Sequence, residues 1–320
     1  MRASSPDAAS SGGRRRWVLC ALLAALLPGC GNSGFNTPTV RIDLSRTAPA
    51  DEMPSPPHRG RLRFGIAGLM SPVATFERYR DLLGYLENQL DLQIDSWQRK
   101  TYQEINELLV RGRLDAAFLG AGGYARVNSP GRLSLVAVPE IRGRLSFRAY
   151  IIVRRDSPVQ SFTGLRGRSF AFTDPLSASG WLYPVWKLAR LGSNPDEFFS
   201  RAIYTYGHDR SIKAVVQGLV DAASVSSLVF DLVAERDPAQ AARLRIIDRS
   251  AWMANPPVVV RSGLDPSLKL GLANALLEMH RNPEGRRILA GLRIDRFRES
   301  APERYEPVKE MIRRVGPWNP

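Results

Sequence analysis

The sequence predicts an α/β protein with two similar lobes, each a mostly parallel sheet flanked by helices. Short apolar stretches alternate with longer stretches in which apolar residues recur every three or four positions, the pattern of strands that are connected by helices. One eight-residue stretch, called here the repeated phrase, has a second and similar copy, and each copy lies between a predicted helix and a predicted strand. Polar turn residues follow several of the predicted strands, where ligands bind in open parallel sheets.

The elements of the first predicted lobe follow one another from residue 62 to residue 119. They are strand Leu62–Ala67, helix Phe76–Leu90, strand Leu92–Trp97, helix Tyr102–Leu109 and strand Ala116–Leu119. Strands that alternate with helices of this length are typical of a parallel sheet with helices on both faces.

The repeated phrase predicts a second lobe of the same design. Val110–Ala117 is echoed by Val216–Ala223, 106 positions later, and in each copy a helix ends at glycine and a strand begins after aspartate. The second lobe follows the apolar segments Leu133–Val138 and Phe147–Val153. Coincidence between two helix–turn–strand units is the alternative explanation, but the surrounding order of elements also matches.

The N-terminal 30 residues have the pattern of an export signal. Arg14, Arg15 and Arg16 precede an apolar run, Trp17–Leu27, that is too short to span a bilayer as a helix. The run ends at Leu-Pro-Gly-Cys, which resembles a bacterial lipobox, so we expect a lipid on Cys30. An ordinary signal peptide with an incidental cysteine is the alternative.

These assignments predict the organisation of the whole chain. Residues 1–30 are the signal and residues 31–60, which contain five prolines, form a disordered tether. Residues 61–150 together with about 250–320 form lobe 1, and residues 151–249 form lobe 2. We expect the mature chain to be lipid-anchored on the extracytoplasmic side of a bacterial membrane, in the periplasm.

The composition narrows the possible functions. Once Cys20 is removed with the signal no thiol pair remains, and the three histidines are dispersed, so we expect no metal site and no cofactor. The formal net charge is +14, yet an exported chain rarely meets nucleic acid and no nucleic-acid-binding motif is visible. Solvated arginines explain the surplus, with attraction of anionic ligands or membrane surfaces as the alternative.

Two predicted strand–turn–helix junctions contain the candidate ligand-binding side chains. In Phe172–Gly180 a strand breaks at Pro175 into a turn that holds Ser177 and Ser179, and the second junction, Tyr204–Ser211, contains His208. A helix N-terminus has unpaired N–H groups and a partial positive charge, which suit a small anion. Hydroxyl groups and an imidazole complete a set of donors for a tetrahedral oxyanion.

Four loops are predicted to meet in one cleft, because ligands bind beyond the carboxyl ends of the strands in such sheets. If the two lobes face each other, these loops surround the same space. They are Gly68–Pro72, Gly120–Tyr124, Ser177–Gly180 and Gly207–Ser211.

The two junctions resemble those of phosphonate-binding proteins of bacterial ABC importers. The resemblance rests on the motifs Asp174-Pro175-x-Ser177-x-Ser179-Gly180 and Gly207-His208-Asp209 and on Ile212–Ala222, and it extends over residues 61–315. It implies a type II periplasmic binding fold whose lobes close on phosphonate, phosphite or a phosphate-like anion. The wider family also includes alkylsulfonate binders.

The resemblance assigns roles to residues of both junctions. Ser177 and Ser179 would donate hydrogen bonds to the oxyanion, together with backbone N–H groups near Gly180. His208 would approach the same group, and Asp209 would orient His208 or face a ligand amine. Ser177 and Ser179 as simple helix caps, and Asp209 as a first-turn carboxylate, are the alternatives.

Further positions follow from the same resemblance. Tyr124 would line the cleft from lobe 1, although aromatic residues often pack a core instead, and Ser71 lies in the first-strand loop that contributes to the site. Ala178 replaces a threonine that is common in the family, which removes one donor. Gly120–Gly123 replaces an expected Gly-Pro and predicts a looser loop.

We therefore expect a monomeric solute-binding protein, not an enzyme, that captures a small oxyanion and delivers it to an ABC permease. A tethered sensor that signals to a membrane partner through the same fold, or an alkylsulfonate binder, is the alternative. Adjacent His208 and Asp209 are poorly placed for a catalytic triad, and the sequence has no Gly-x-Ser-x-Gly motif.

Overall fold

A computed structural model describes residues 60–127 and 132–316. The predicted signal, Cys30 and all but the last residue of the predicted tether lie outside these residues. The strands are β1 Arg61–Ile66, β2 Gln93–Gln98, β3 Ala116–Phe118, β4 Leu133–Glu140, β5 Ser146–Phe147, β6 Ala149–Arg154, β7 Ser169–Phe172, β8 Arg201–Tyr204, β9 Ala222–Ser226, β10 Leu244–Arg249, β11 Met253–Ala254, β12 Val258–Arg261 and β13 Arg296–Arg298.

The α-helices are α1 Pro72–Leu90, α2 Tyr102–Val110, α3 Ala121–Val127, α4 Tyr183–Arg190, α5 Pro195–Phe198, α6 His208–Val216, α7 Ser227–Arg236, α8 Pro238–Ala242, α9 Pro266–Leu277, α10 Pro283–Leu292 and α11 Glu306–Val315. A π-helical turn, Ala178–Leu182, leads directly into α4. Within the described ranges no helix is both long and apolar enough to cross a bilayer.

The strands form two main sheets, one in each lobe. The first has the order β13-β4-β12-β3-β1-β2 and the second β10-β6-β9-β7-β8, while β5 and β11 form a small ladder of their own. Helices flank both sheets, so the prediction of a two-lobed α/β fold is confirmed. Assignment of chain segments to lobes at residues 150 and 250 stays a prediction.

The sheets are more mixed than the predicted mostly parallel arrangement. β1 is parallel to β2 and β3, and β7 is parallel to β8 and β9, but β6 and β12 are antiparallel to each strand they pair with. β6 enters the second sheet from the first lobe, and β12 enters the first sheet from the second. Each therefore starts at the cleft and runs opposite to the strands that end there.

The repeated phrase occupies the same place in both lobes. α2 ends at Val110 and α6 at Val216, and each is followed by a glycine in the left-handed region, Gly112 with φ 68° and Gly218 with φ 71°. Glycine adopts this conformation without the steric cost that other residues incur. The strands that follow, β3 and β9, occupy equivalent interior positions, each between one parallel and one antiparallel neighbour.

The aspartates of the phrase attach each turn to the neighbouring strand. The backbone N–H of Arg63 on β1 donates to Asp115, and the backbone N–H of Ser169 on β7 donates to Asp221, at 3.0 and 2.8 Å. Asp115 is buried and also accepts from the guanidinium groups of Arg63 and Arg261. Asp221 is exposed and accepts from the Ser169 hydroxyl. Both carboxylates stabilise structure, as their sequence context indicates.

The core consists of one cluster in each lobe and a third that continues across both. The third cluster contains Ile105 and Tyr124 from the first lobe and Phe172 and Trp181 from the second. Helix α11 packs on α3 and on α4, so the late helices do not return to the first lobe alone. Phe76, the first residue of the helix predicted over Phe76–Leu90, is half exposed.

Removal of the two equivalent aspartates should have unequal effects. Asp115→Ala leaves two partly buried guanidinium groups without their shared carboxylate, so we expect a loss of about 3 to 5 kcal/mol in the free energy of unfolding. Asp221→Ala removes exposed hydrogen bonds and should cost about 1 kcal/mol. Urea denaturation of both variants measures the difference, and equal losses would contradict this account.

Candidate ligand-binding site

The first junction places the start of a helix at the cleft. After β7 the chain turns at Asp174, whose carbonyl accepts from the Ser177 N–H at 2.8 Å, and the helix begins at Ala178. The N–H groups of Ala178 and Ser179 have no acceptor among the described residues. These are the orphan donors that a helix N-terminus provides, and they are the first components of an anion site.

Ser177 caps this helix, as one of the alternatives from the sequence predicts. Its Oγ accepts from the Gly180 N–H at 2.9 Å, which leaves the hydroxyl proton available to an additional acceptor. Ser179 is 2% exposed, and no described group hydrogen-bonds to its hydroxyl. A Cβ atom on Gly180 would lie 2.5 Å from Thr173, so glycine permits this contact.

His208 meets the first junction through Thr173. Its Nδ1 accepts from the Ser226 N–H at 3.1 Å and lies 3.0 Å from Thr173 Oγ1. Because a backbone N–H can only donate, Nδ1 is unprotonated, and the neutral ring carries its proton on Nε2. Burial lowers the pKa of His208 to about 3. The imidazole is therefore an uncharged donor at neutral pH.

Buried hydroxyl groups connect the two junctions, and the sequence motifs did not single them out. Thr173 Oγ1 lies 3.3 Å from Ser211 Oγ, which in turn lies 2.6 Å from Thr205 Oγ1. The Ser224 hydroxyl donates to the Ser179 carbonyl. The predicted site residues Ser177, Ser179, Gly180 and His208 therefore converge around Thr173. We call these residues together with the N–H groups of Ala178 and Ser179 the cradle.

Asp209 forms its hydrogen bonds across the cleft. Its carboxylate oxygens are 3.0 and 3.2 Å from the backbone nitrogen of Ser71, at the start of α1. The expectation that Asp209 orients His208 is not met, because both oxygens of Asp209 face Ser71, while the His208 ring is held by the Ser226 N–H and Thr173. Asp209 instead ties the second lobe to the first.

Asp174 makes a second contact of this kind. Its Oδ2 accepts from the Tyr102 N–H at the start of α2, at 3.0 Å, and its Oδ1 accepts from the Leu176 N–H at 2.8 Å. Burial raises the pKa of Asp174 to about 6, although these hydrogen bonds act in the opposite direction. The first lobe thus offers two helix N-termini to two carboxylates of the second lobe.

Tyr102 is a candidate site residue that sequence reasoning missed. Its hydroxyl is buried and has no hydrogen-bond partner in the described part of the chain. Burial raises the pKa of Tyr102 well above its ordinary value, and the nearby carboxylates of Asp174 and Asp209 add to the effect. Its place at the start of the helix that follows β2 was the available signal, but the helical periodicity included Tyr102 among the apolar positions of α2.

The glycine-rich loop of the first lobe is tight rather than loose. A Cβ atom on Gly122 would lie 2.3 Å from the Leu176 carbonyl oxygen and 2.7 Å from the Ala178 nitrogen. Glycine therefore lets α3 approach the backbone of the first junction. Tyr124 is fully buried, and its ring centroid lies 4.5 Å from that of Tyr305. This is the core packing that the sequence offered as the alternative for Tyr124, and a contact between Tyr124 and a ligand stays a prediction.

The cradle is suited to bind an oxyanion, although the cradle itself contains no formal positive charge. Its donors are backbone N–H groups at a helix start, serine hydroxyls and a neutral imidazole. Oriented donors in a site from which water is excluded stabilise negative charge strongly. The fold and the cradle together define a two-lobed α/β binding protein with a closed cleft.

Comparisons with known proteins agree with this class. The model of the family described as "ABC transporter, phosphonate, periplasmic substrate-binding protein" matches residues 64–305. The chain belongs to this family. The phosphonates-binding periplasmic protein of Escherichia coli (strain K12) is 23% identical over 258 residues, which are 78% of this chain and 75% of that protein.

Two solved structures have the same fold. A binding protein component of an ABC phosphonate transporter from Pseudomonas aeruginosa superposes with a TM-score of 0.74 at 21% identity, over 79% of this chain and 85% of that one. PhnD1 from Prochlorococcus marinus (MIT 9301), in complex with methylphosphonate, superposes with a TM-score of 0.72 at 19% identity, over 80% and 98% of the two chains.

The raised pKa of Asp174 predicts a pH dependence of stability. Since its folded-state pKa is about 6 and its ordinary value is 3.8, the folded protein binds this proton more tightly, and the benefit is lost as pH rises from about 4 through 6. We expect the free energy of unfolding to fall over this range by roughly 2 to 3 kcal/mol more in wild type than in Asp174→Asn.

Urea denaturation at pH 4, 5, 6 and 7 measures that difference. Asp196→Asn is the control, because it removes one exposed carboxylate outside the cradle. Parallel pH profiles for wild type and Asp174→Asn would show that the buried carboxyl group does not titrate as its surroundings imply.

Proposed function

We propose that the chain captures a small tetrahedral oxyanion, of phosphonate, phosphite or phosphate type, by closure of its two lobes, and delivers it to an ABC importer. The family to which the chain belongs consists of periplasmic substrate-binding proteins of such importers. The observation that carries the choice of ligand is the cradle: orphan N–H groups at Ala178 and Ser179 beside two serine hydroxyls and a neutral imidazole.

Each cradle residue has a proposed role. Ser177 and Ser179 donate their hydroxyl protons to oxyanion oxygens, and the N–H groups of Ala178 and Ser179 bind a further oxygen. The Nε2 proton of His208 reaches the same group, while Thr173 and Ser226 fix the orientation of the ring. Tyr102 is the donor from the opposite lobe, since its buried hydroxyl is otherwise unpaired.

Closure follows from the contacts that cross the cleft. Asp174 and Asp209 accept from the starts of α2 and α1, and these contacts form only when the lobes meet. A ligand that bonds to both lobes has a higher affinity for the closed state and therefore selects it. A sensor that reports the closed state to a membrane partner would use the same cleft, as would an alkylsulfonate binder.

We infer that the chain binds its ligand without transforming it. A serine nucleophile needs a histidine base that is itself oriented by a third group. Here the Ser177 hydroxyl accepts from the Gly180 N–H, and the His208 ring is held by a backbone N–H and Thr173 rather than by a carboxylate. This arrangement supports anion binding rather than acyl or phosphoryl transfer.

Methylphosphonate is the first ligand to test, because it occupies the related Prochlorococcus protein. Purified protein from residue 60 onward should unfold several degrees higher in its presence, since ligand at 100 times its Kd adds about 2.7 kcal/mol. Phosphite, phosphate and methylsulfonate in parallel determine the preferred class of anion. No shift with any of them, in folded protein free of carried-over ligand, would contradict the proposal.

Ser179→Ala separates binding from folding. The Ser179 hydroxyl has no hydrogen-bond partner among the described residues, so its loss should leave the stability of the free protein nearly unchanged. A hydrogen bond to a charged group contributes about 1.5 to 3 kcal/mol, so affinity should fall about tenfold to a hundredfold. Ser161→Ala, in an exposed loop, is the control, and equal affinity in the two variants would remove Ser179 from the site.

We further propose that the chain is a monomer attached to the membrane by lipid on Cys30, which becomes the first residue after removal of residues 1–29. The family is periplasmic, and the Leu-Pro-Gly-Cys sequence supports lipidation. Wild type should sediment with membranes, whereas Cys30→Ser should lose the lipid and the membrane fraction. Fractionation of cells labelled with radioactive palmitate measures both, and an unlabelled wild-type chain would favour an ordinary signal peptide.

A further inference from the structure

A narrow cavity of about 50 Å³ lies between the lobes. Its lining is almost entirely apolar, with contributions from both lobes and a single charged side chain, that of Arg78. The lining residues are Leu69, Met70, Arg78, Tyr79, Phe118, Pro139, Ile141, Leu228, Val229, Leu232, Pro256, Leu292 and Ile294. A water molecule needs about 10 to 15 Å³ of such space, so the cavity has room for a short chain of a few heavy atoms.

The cavity adjoins the cradle at several points. The carbonyl of Leu69, which lines the cavity, accepts from the His208 N–H at 3.0 Å. Leu228 lies two residues beyond Ser226, whose N–H donates to the His208 ring and whose hydroxyl accepts from the Leu228 N–H at 3.3 Å. The cavity therefore lies beside the His208 side of the cradle, in the direction of Leu69 and Leu228.

Arg78, in the cavity lining, has one donor that the geometry leaves open. Its Nη2 donates to the Leu292 carbonyl, whereas its Nη1 is buried and forms no hydrogen bond of good geometry with a described residue, although the Tyr79 hydroxyl lies close to the guanidinium. Burial lowers the pKa of Arg78, although a guanidinium group stays charged at neutral pH. A buried cationic donor that is left unpaired is costly.

The nearest carboxylates do not belong to Arg78. Asp231 and Glu235, on α7, line the adjoining hollow that opens past Arg78. Asp231 pairs with Arg142, and Glu235 pairs with both Arg142 and Arg293. The cavity itself has no carboxylate in its lining. Its chemistry is therefore that of an apolar channel with one cationic group.

We propose that the ligand is a diacid: an oxyanion head in the cradle, a short unbranched carbon chain in the apolar cavity, and a second acidic group paired with Arg78. This inference rests on the proposed function, since it extends the same site. A phosphonate with a terminal carboxylate has this form. A ligand with a terminal ammonium group is disfavoured, because it would meet Arg78 and no carboxylate in a space that excludes water.

Isothermal titration of the soluble chain with matched phosphonates tests the inference. The ligands are methylphosphonate, propylphosphonate, 2-aminoethylphosphonate and the carboxylate series phosphonoacetate, 3-phosphonopropionate and 4-phosphonobutyrate. We expect at least one carboxylate ligand to bind tenfold or more tightly than propylphosphonate, and 2-aminoethylphosphonate to bind more weakly than propylphosphonate.

Arg78→Gln should abolish this preference and leave methylphosphonate affinity within about twofold. Arg80→Gln is the matched control, because Arg80 lies on the same helix, is exposed and pairs with Asp81. It should bind the whole series as wild type does. If circular dichroism shows that Arg78→Gln is not folded, the order of affinities that wild type shows for the ligands tests the inference by itself.

The outcomes separate the two proposals. If methylphosphonate binds but the carboxylate ligands bind no more tightly than propylphosphonate, or the aminoethyl ligand binds best, the diacid inference is wrong and the proposed function stands. A preference that folded Arg78→Gln retains would also overturn it. If no phosphonate binds wild type, the proposed function fails and the inference fails with it.

Discussion

Close approach of backbone to backbone is the constraint on which the site depends. The helix that begins at Ala178 presents its N–H groups to the cleft only because Gly180 can lie against Thr173 and Gly122 against the Leu176–Ala178 backbone. A methyl group at either glycine would overlap atoms at 2.5 Å or less. The Gly122 contact brings the two lobes together, and the Gly180 contact holds the start of the helix against the end of β7, which positions the anion donors.

Around this constraint the protein binds negative charge with oriented dipoles. The cradle has uncharged donors, and burial keeps His208 neutral. Backbone and hydroxyl donors in a closed, dry site are already oriented when the anion arrives, so little reorganisation is needed. The charged groups near the cleft have other partners: Asp174 and Asp209 accept backbone N–H groups from the opposite lobe.

The two lobes connect a helix to the following strand in the same way. In each, a glycine with positive φ ends a helix, and the aspartate three positions later accepts from the N–H of the adjacent parallel strand. The repeat is visible in the sequence because both features require particular residue types. The antiparallel direction of β6 and β12 cannot be read from the sequence in this way, since it depends on which lobe the chain has just left.

Short-range rules thus determined much of this protein from sequence alone. Helical and strand periodicity, glycine caps and the Ser177–Gly180 and Gly207–Asp209 motifs are local, because each depends on residues a few positions apart. They were sufficient for the two-lobed α/β fold and for the cradle of Ser177, Ser179 and His208. The family resemblance followed from the same motifs.

Only the tertiary structure decided the contacts between distant segments. Ser71 meets Asp209 and Tyr102 meets Asp174 across the cleft, over 138 and 72 positions of sequence, and no local pattern encodes either pair. Tyr102 and Arg78 lie on helices whose periodicity indicates a packed face, yet each has a buried polar atom without a hydrogen-bond partner among the described residues. These surroundings exist only once the lobes meet, so the sequence alone determined the class of donors, and the closed fold determined which groups lie opposite them.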